Sequence, residues 1–460
     1  MKKIKLFGLG IQSKSSNVTA QRRVNMYLEQ TTDGDKMEVV AYRTPGLRYV
    51  FNIGNNPVRG WYATSSLLYV VAGNQLFEVS TVYGVTALGT LNTTTGNVGI
   101  ASNGLGLLIV DGADYYTWIF ATTTFAVGAD ADYLGGDTVT FLNSFYIVNY
   151  PGTGQFQISA SYDGGSWDAA EVATAESNPD NLIAVFSDQG QLLLFGELVT
   201  EIWLGIDAVD FPFQRAGSAI EWGIAARWSI AKFNDSVVWL AKNRLGEVQV
   251  VMLNGYTPQR ISTHDLENII NGYTNISAAT GFSYMHNGHP FYQINFDGGS
   301  WLYDGASGAW SQVKGYEIAR HRADKSIVFN NVILVSDFED GNIYTPDGET
   351  YDDNGLPLVA ELTSKHIYSG GERVQLSKLL IDCETGVGIA NGQGSDPQME
   401  IQVYKDGGHI PLNSRYISLG KMGEYKKRCI IHRLGQARDW TFTATVSDPV
   451  KWVVMGAYVE

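Results

Sequence analysis

Two short stretches of the sequence contain residue types that could carry out chemistry. Ser161–Trp167 has the sequence SYDGGSW, and Asp297–Trp301 has DGGSW. A carboxylate in such a stretch could act in glycoside hydrolysis, which requires two carboxyl groups at a set separation. Arginines, which a sialidase would need in a cluster, are spread thinly along the chain. The sequence therefore predicts no complete catalytic constellation.

The same two stretches also suit a structural hairpin. SYDGGSW resembles the Asp-box of sialidases and related propellers, Ser-x-Asp-x-Gly-x-Thr-Trp, but is one residue short. In such a turn the Asp accepts backbone N–H bonds, the Gly takes positive φ and the Trp packs beneath. The residues that we assign to structural hairpin turns are Asp163, Gly165, Trp167, Asp297, Gly299 and Trp301.

A basic run near the end of the sequence is the second candidate. It is interleaved with Tyr425 and Trp440, so it could contact nucleic acid. We favour a solvated strand face or an interface with an acidic partner. The residues assigned to partner docking are Lys426, Lys427, Arg428, Arg433 and Arg438.

Other catalytic and metal-binding signatures are missing from the sequence. It has no Gly-rich phosphate loop, no His-Glu-x-x-His and no nucleophile elbow, so we expect no cofactor, no metal and no enzymatic activity. Cys383 and Cys429 have no metal-binding spacing and are expected to be free thiols in a reducing compartment. The start of the sequence fails as a signal peptide, and no run is long enough to cross a membrane.

The stretch Ile220–Tyr273 shows which elements would position these residues. Three apolar runs, Trp228–Phe233, Ser236–Ala241 and Glu247–Leu253, are separated by turn residues and predict an antiparallel meander. Thr263 then caps a short predicted helix.

Similar strand pairs recur throughout the chain, starting at residues 61, 98, 139, 182, 228, 276 and 327. A period of about 40–45 residues with four short strands per unit is typical of a β-propeller. We therefore predict an all-β fold with a propeller of six or seven blades. A large β-sandwich of unrelated hairpins is the alternative.

The last hundred residues have a different pattern, with about six alternating strands and no helix, which indicates a β-sandwich. Gly386–Pro397 is expected to be a projecting loop. The predicted division is an N-terminal arm over residues 1–20, a β-propeller over 21–350 and a C-terminal β-sandwich-like docking domain over 356–460.

The charge is distributed unevenly between these parts. The chain of 460 residues has a formal net charge of −15. Residues 1–360 contain 20 Lys and Arg against 36 Asp and Glu, whereas residues 361–460 contain 12 against 11. Tight phosphate binding requires clustered Lys and Arg, so the acidic part is a poor candidate for it. It suits a surface that DNA passes without adhering.

Four segments of the sequence, taken in order, carry a resemblance to a known family. The central segment is WGIAARWSIAKFNDSVVWLAKNRLG followed by PQRISTHDLENIINGY. VNMYLE with RTPGL lies near the start, ESNPDNLIAVFSDQGQLLLFGELVTEIW covers 176–203, and the sequence ends in KRCIIHRLGQARDWTFTATVSDPVKWVVMGAYVE. Together they resemble the tail hub, or tail nozzle, proteins of short-tailed bacteriophages, the packaged-DNA stabilisation family. The resemblance covers nearly the whole chain and departs mainly around 80–135 and 384–397.

This resemblance implies a structural virion protein of the phage tail, assembled in the host cytoplasm. Six copies would form a nozzle below the portal and its adaptor ring, retain packaged DNA and provide the channel for its ejection. Implied partners are the portal-adaptor ring protein, tail spike or fibre proteins, needle or plug proteins and genomic DNA passing without sequence-specific binding, but no membrane. A propeller that binds or cleaves glycans in a sialidase-like way is the alternative.

Overall fold

The structure is a computed structural model that describes residues 1–4, 6, 8, 10–30, 39–208, 211–217, 219–408 and 410–460. Strands contain 54% of the residues and helices 3%. This confirms the predicted all-β class. Within the described ranges the strands form eight sheets.

Five strands precede the first four-stranded sheet, and they end up in different parts of the molecule. In chain order β1 to β5 are Lys2–Ile4, Arg22–Val24, Met26–Gln30, Val39–Arg43 and Gly46–Asn52.

Four antiparallel sheets of four strands each follow and form blades 1 to 4. Blade 1 consists of β6 to β9: Val58–Ala63, Leu67–Ala72, Gln75–Ser80 and Val85–Thr90. Blade 2 consists of β10 to β13: Gly99–Ser102, Gly106–Val110, Tyr115–Ile119 and Thr124–Val127. Blade 3 consists of β14 to β17: Val139–Leu142, Phe145–Asn149, Gln155–Ala160 and Asp163–Thr174. Blade 4 consists of β18 to β21: Leu182–Asp188, Gln191–Gly196, Thr200–Gly205 and Phe213–Arg215.

Blades 5 to 7 follow the same plan with small additions. Blade 5 consists of β22 to β26: Gly223–Ile224, Ala231–Phe233, Ser236–Lys242, Val248–Asn254 and Thr257–Arg260, with a 3₁₀ turn at Arg227–Ser229. The helix α1, His264–Ile270, and a 3₁₀ turn, Ile276–Ala278, lead to blade 6. Blade 6 consists of β27 to β30: Thr280–His286, His289–Phe296, Gly299–Asp304 and Ala309–Val313. Blade 7 begins with β31 to β33: Ala323–Phe329, Val332–Asp337 and Asn342–Asp347.

The fourth strand of blade 7 comes from the start of the chain. β5 pairs antiparallel with β33, and β31 contacts β6 of blade 1. Neighbouring blades also pack through apolar side chains, for example Phe195 of blade 4 edge-to-face on Trp239 of blade 5 at 5.3 Å between ring centroids. The result is a closed ring of seven blades, the larger of the two predicted numbers.

Tight turns between the first and second strands explain the sharp hairpins of several blades. Asn287-Gly288 in blade 6 has φ of 49° and 81°, and Asn330-Asn331 in blade 7 has φ of 51° and 59°. Two successive residues with positive φ match the right-handed twist of the strands, and Asn and Gly tolerate this conformation best. The predicted helix is also present: the side chain of Thr263 accepts a hydrogen bond from the Leu266 N–H, and α1 buries Leu266 and Ile270.

The C-terminal part is a sandwich of two sheets. A two-strand linker, β34 and β35, lies at Asp352–Asp353 and Leu356–Pro357 and remains attached to β5. The strands β36 to β43 are Ala360–Thr363, Ile367–Tyr368, Val374–Cys383, Gln398–Lys405, Ser414–Ser418, Cys429–Ala437, Asp439–Val446 and Val453–Val459. The sandwich core contains Leu28, Ile401, Trp440, Phe442 and Trp452.

The N-terminal strands pair with strands of this sandwich. β3 and β4 extend one sheet in the order β3-β4-β43-β38-β41, and β1, in the predicted arm, pairs with β43. β2 joins the other sheet, β2-β36-β42-β39-β40, and also pairs with β30 of blade 6. The predicted propeller segment 21–350 therefore includes strands that pair with the sandwich, because alternating apolar residues identify a strand but not its partner sheet. The predicted division near residues 350–356 remains a proposal.

Candidate functional site

The first motif forms a hairpin at the outer edge of blade 3. Asp163 Oδ1 accepts a hydrogen bond of 2.9 Å from the Gly165 N–H, while Tyr162 in the turn has a φ of 55°. Trp167 is buried, and its indole donates to the Gly164 carbonyl at 3.1 Å. The Trp167 N–H also donates to Asp130 Oδ2 at 2.9 Å. Asp163 and Trp167 therefore have structural partners within the turn or its neighbouring loop.

The second motif forms the turn between β28 and β29. Gly299 starts β29, and a side chain added there would lie 2.5 Å from the Tyr273 hydroxyl. The buried Trp301 donates from its indole to that hydroxyl at 3.1 Å. Close backbone approach to Tyr273 therefore explains the glycine in this turn.

The surroundings of Asp163 and Asp297 bear on the sialidase-like alternative. Between Gly60 and Gln214 the sequence contains no arginine. In the described ranges neither aspartate forms an ion pair with an arginine. Asp130 accepts the hydrogen bond from the Trp167 N–H and so helps to hold Trp167 in place. The sequence analysis missed this residue because the two partners are 37 residues apart in the chain.

The predicted docking residues follow one edge of the sandwich. The basic strip, as we call it, comprises Arg415, Lys421, Lys426, Lys427, Arg428, Arg433 and Arg438. Lys426–Arg428 precede β41, Arg433 lies on it and Arg438 follows it, and all five predicted residues are exposed. At about 3.3 Å per residue, the nine residues of β41 separate the ends of the strip by about 27 Å. The structure thus places the five predicted residues along one strand.

The strip contains little opposing charge. Residues 414–438 include seven Lys and Arg and one acidic residue, Glu424, which lies 3.7 Å from Lys427. The guanidinium of Arg415 donates to the carbonyls of His432 and Arg433 on β41, which fixes part of this edge. The strip therefore has a net positive charge and faces solvent.

Apolar side chains beside the strip are also exposed. Tyr425 is 76% exposed and Tyr416 is 67% exposed. The base of the predicted loop Gly386–Pro397 is anchored, because the Gly386 N–H donates to the Leu419 carbonyl at 2.8 Å. Only the segment 389–393 at its tip is exposed throughout. The loop thus projects at its tip alone, next to the strip.

The acidic charge is concentrated in blades 1 to 4. Residues 60–214 contain sixteen Asp and Glu but no Lys, Arg or His, and the rest of residues 1–360 is balanced. Within the described ranges, three of these carboxylates form ion pairs with residues of the following segment. Arg215 lies 3.9 Å from Glu201, Arg227 2.6 Å from Asp137 and Lys232 2.8 Å from Asp188. These 155 residues without a Lys, Arg or His are visible in the sequence. Counting charge over residues 1–360 as a whole concealed them.

The two charged regions lie at opposite ends of the subunit. The sandwich joins the propeller through β2 and β3, at blade 6, and through the linker on β5 of blade 7. In a ring of seven blades, blade 3 lies across the axis from blades 6 and 7. β40 and β41 end the two sandwich sheets on the side away from β2 and β3, about 19 Å or four strand spacings further out. The subunit therefore has a basic distal edge and an acidic far half.

Buried polar residues fix the joint between propeller and sandwich. Asn25, at 1% exposure, donates from Nδ2 to the carbonyls of Lys314 at 3.0 Å and Val359 at 2.8 Å. Its Oδ1 accepts from the Lys314 N–H at 3.0 Å. One side chain thus connects the end of blade 6 to the start of the sandwich.

Two buried charged groups lie at the same joint. Arg43 donates to the carbonyls of Asp448 at 2.7 Å and Val450 at 2.9 Å, and burial lowers its pKa to about 10. Asp353 in the linker is also buried, and this burial raises the pKa of its carboxyl group to about 7 despite the nearby Leu47 amide and Arg43. The joint thus contains a carboxyl group that is costly to ionise.

The remaining sequence expectations concern thiols, metals and membranes. Cys383 and Cys429 are buried free thiols with their sulfur atoms 3.6 Å apart. Within the described ranges, no three His, Cys, Asp or Glu side chains are grouped as metal ligands would be. A search of the same residues for a helix long and apolar enough to span a bilayer found none.

Two family models match the chain in succession. The model described as bacteriophage P22 Gp10, beta-propeller, matches residues 3–351. The model described as bacteriophage P22 Gp10, beta-sandwich, matches residues 360–460. A comparison with curated proteins finds no match.

Several solved structures are similar to the chain at low sequence identity. YCF48 from Cyanidioschyzon merolae is 10% identical with a TM-score of 0.44, and the alignment covers 66% of this chain and 99% of that one. The computationally designed Ika8 protein is 14% identical with a TM-score of 0.40 and coverages of 75% and 99%. A chain of the mitotic checkpoint complex is 12% identical with a TM-score of 0.40 and coverages of 69% and 97%.

Proposed function

The chain belongs to the family of bacteriophage P22 Gp10, and we propose from this premise that it forms the hexameric tail nozzle below the portal and its adaptor ring. In this role it retains packaged DNA and provides the channel for ejection. The observation that carries the proposal is the match of both family domains, in order, over residues 3–351 and 360–460.

The structural features support a scaffold rather than an enzyme. The seven blades close through β5, so the ring leaves only short sheet edges exposed. In the two Asp-Gly-Gly-Ser-Trp motifs, Asp163 and Trp167 form hydrogen bonds within their hairpin, and Trp301 forms one with the neighbouring Tyr273. We accordingly propose that these motifs have structural roles and that the protein catalyses no reaction.

The charge distribution supports a role next to DNA. Carboxylates on the wall of a channel repel phosphates, and the repulsion weakens as salt increases. We propose that part of the sixteen carboxylates of residues 60–214 faces the lumen. A structure of the assembled tail with Lys and Arg lining the lumen would contradict this assignment.

The sandwich is the proposed docking domain. Its basic strip and the exposed tip of the 386–397 loop lie at the edge furthest from the propeller. We propose that this domain contacts the adaptor ring and neighbouring subunits, that the propeller forms the distal tube, and that spike and needle proteins attach to the assembled nozzle.

The mass of the purified protein and its place in the particle test this function together. Sedimentation should show a hexamer at high concentration, and images of tails should show one ring of this protein below the adaptor. A protein that stays monomeric, is absent from tails and binds a cell-envelope glycan saturably would support the glycan-binding alternative instead.

A further inference from the structure

We infer that the basic strip of one copy docks on the acidic blades 1 to 4 of a neighbouring copy, with the outer edge of blade 3 at the centre of the contact. The inference rests on the proposed function, because it names the partner surface within the nozzle. It commits to a second copy of this chain as the occupant of the strip.

Charge complementarity within one sequence is the first argument. Residues 414–438 have a net charge of +6, and residues 60–214 have a net charge of −16. Three carboxylates of the blades are paired with Arg215, Arg227 and Lys232, and Glu424 lies beside Lys427 on the strip. The remaining charge of each surface has one sign, so the two surfaces attract each other. Complementary surfaces of this type direct association and fix its register. The strip neutralises fewer than half of the carboxylates, which leaves others to face DNA.

The position of the two surfaces is the second argument. A closed ring of identical subunits requires two different, complementary patches that point in different directions. The strip lies at the distal edge of the sandwich, and blade 3 lies across the propeller axis from the joint. This separation keeps the strip away from the acidic half of its own chain and leaves it available to another copy.

The outer strand of blade 3 matches the strip in chemistry. β17 ends the sheet of blade 3, and it carries Asp163, Asp168 and Glu171. Its two ends pair with Gln155 and Ala160 of β16, so it spans about five residue spacings, or about 17 Å, and faces the central part of the strip. Arg and Lys side chains paired with carboxylates at such a contact gain specificity, and Tyr425 beside the strip adds apolar area to bury.

A charge-swap experiment on the full chain tests the inference. Lys426→Glu, Lys427→Glu and Arg428→Glu together should weaken self-association in sedimentation at least tenfold, with the Gln triple variant intermediate. Asp132 lies in the segment before β14, where the Gln157 side chain joins its carbonyl to that of Asp168 on β17. Adding Asp132→Lys and Glu171→Lys should restore most of the lost affinity, because both partners of the contact are then reversed. The losses should shrink at high salt.

A matched control places the same charge change elsewhere on the propeller. Asp235→Lys and Glu317→Lys, exposed residues outside blades 1 to 4, should not rescue the Glu triple variant. Circular dichroism identifies any variant that fails to fold, and the Gln variant then carries the test. Equal rescue by the control, unchanged association of the triple variant, or a wild-type protein that stays monomeric would each overturn the inference.

The proposed function is judged separately by the particles. If the triple variant forms normal rings in tails, the docking assignment fails while the nozzle function stands. If the swap restores association but the protein is absent from tails, the contact is correct and the proposed function fails.

Discussion

Replacing Asn25 should weaken the joint between propeller and sandwich, and the loss in the free energy of unfolding has two contributions that can be measured separately. Asn25→Ala removes three side-chain hydrogen bonds, two to carbonyls of Lys314 and Val359 and one from the Lys314 N–H. At a net value of about 1 kcal/mol each, the loss is about 3 kcal/mol. Asn25 also has a φ of 52°, a left-handed conformation that costs Ala about 1 kcal/mol more. The expected decrease in the free energy of unfolding is therefore about 4 kcal/mol.

The two contributions can be separated by a second substitution. Asn25→Gly loses the same hydrogen bonds but accepts positive φ, so it should be less destabilising than Ala by about 1 kcal/mol. Asn234, with a φ of 53° in an exposed turn of blade 5, is the matched control. There Ala should cost only the conformational part, about 1 kcal/mol.

Urea titrations followed by tryptophan fluorescence measure these differences at one pH. The reasoning is refuted if Asn25→Ala costs no more than Asn234→Ala, because the buried hydrogen bonds would then contribute nothing. It is also refuted if Asn25→Gly is as stable as the wild type.

The other predictions concern Asp353 and Asp163. Burial raises the pKa of Asp353 to about 7, so between about pH 4 and pH 7 the folded protein keeps a proton that the unfolded chain has released. The contribution of Asp353 to the free energy of unfolding is therefore complete below about pH 4 and is lost as the pH rises towards 7. Asp353→Asn should abolish that loss. In thermal unfolding from pH 4 to 8, the melting temperature of the variant should rise relative to that of the wild type as the pH increases. Melting temperatures that change with pH in the same way for both proteins would exclude the effect. Asp163→Ala removes the bond to the Gly165 N–H and should cost about 1 kcal/mol in urea unfolding, whereas a normally folded variant that lost a glycan-cleaving activity would favour the enzyme alternative.

The local elements could be predicted because their signals are local. The three apolar runs of residues 228–253 became strands β23 to β25 within a few residues, and Thr263 caps α1 as its position predicted. The seven repeat starts correspond to the seven blades, because each blade needs its own set of apolar strands and turns. These features depend on residues close in sequence.

Pairings between distant segments could not be predicted in the same way. Nothing in Gly46–Asn52 specifies that it closes blade 7 against Asn342–Asp347, nearly 300 residues later. A strand's alternation determines which side is buried but not which sheet receives it. The same reason hid the contact of Asn25 with Lys314 and Val359, and that of Asp130 with Trp167.

These distant pairings change how the docking domain should be studied. A chain cut at Gly355 would keep β3 and β4 but lose β38, β41 and β43, leaving the apolar side chains of Met26 and Leu28 without a core. Such a fragment would fail to join tails whether or not the sandwich docks there. Point substitutions in the basic strip avoid this ambiguity because the strip is exposed and contributes little to the core.

The rigid joint and the two charged ends are parts of one mechanical requirement. In a ring, each subunit passes its orientation to the next, so an angular error at the joint accumulates with every copy and prevents closure. The joint in this subunit is held by backbone pairing of β2 to both domains, by the buried side chain of Asn25, and by the bond from Arg43 to the Leu358 carbonyl beside the linker. Attraction between surface charges changes little when the charges shift by a small distance, whereas the buried hydrogen bonds of this joint require a fixed geometry. The closed ring is therefore expected to depend more on the buried joint than on any single charge of the docking surface.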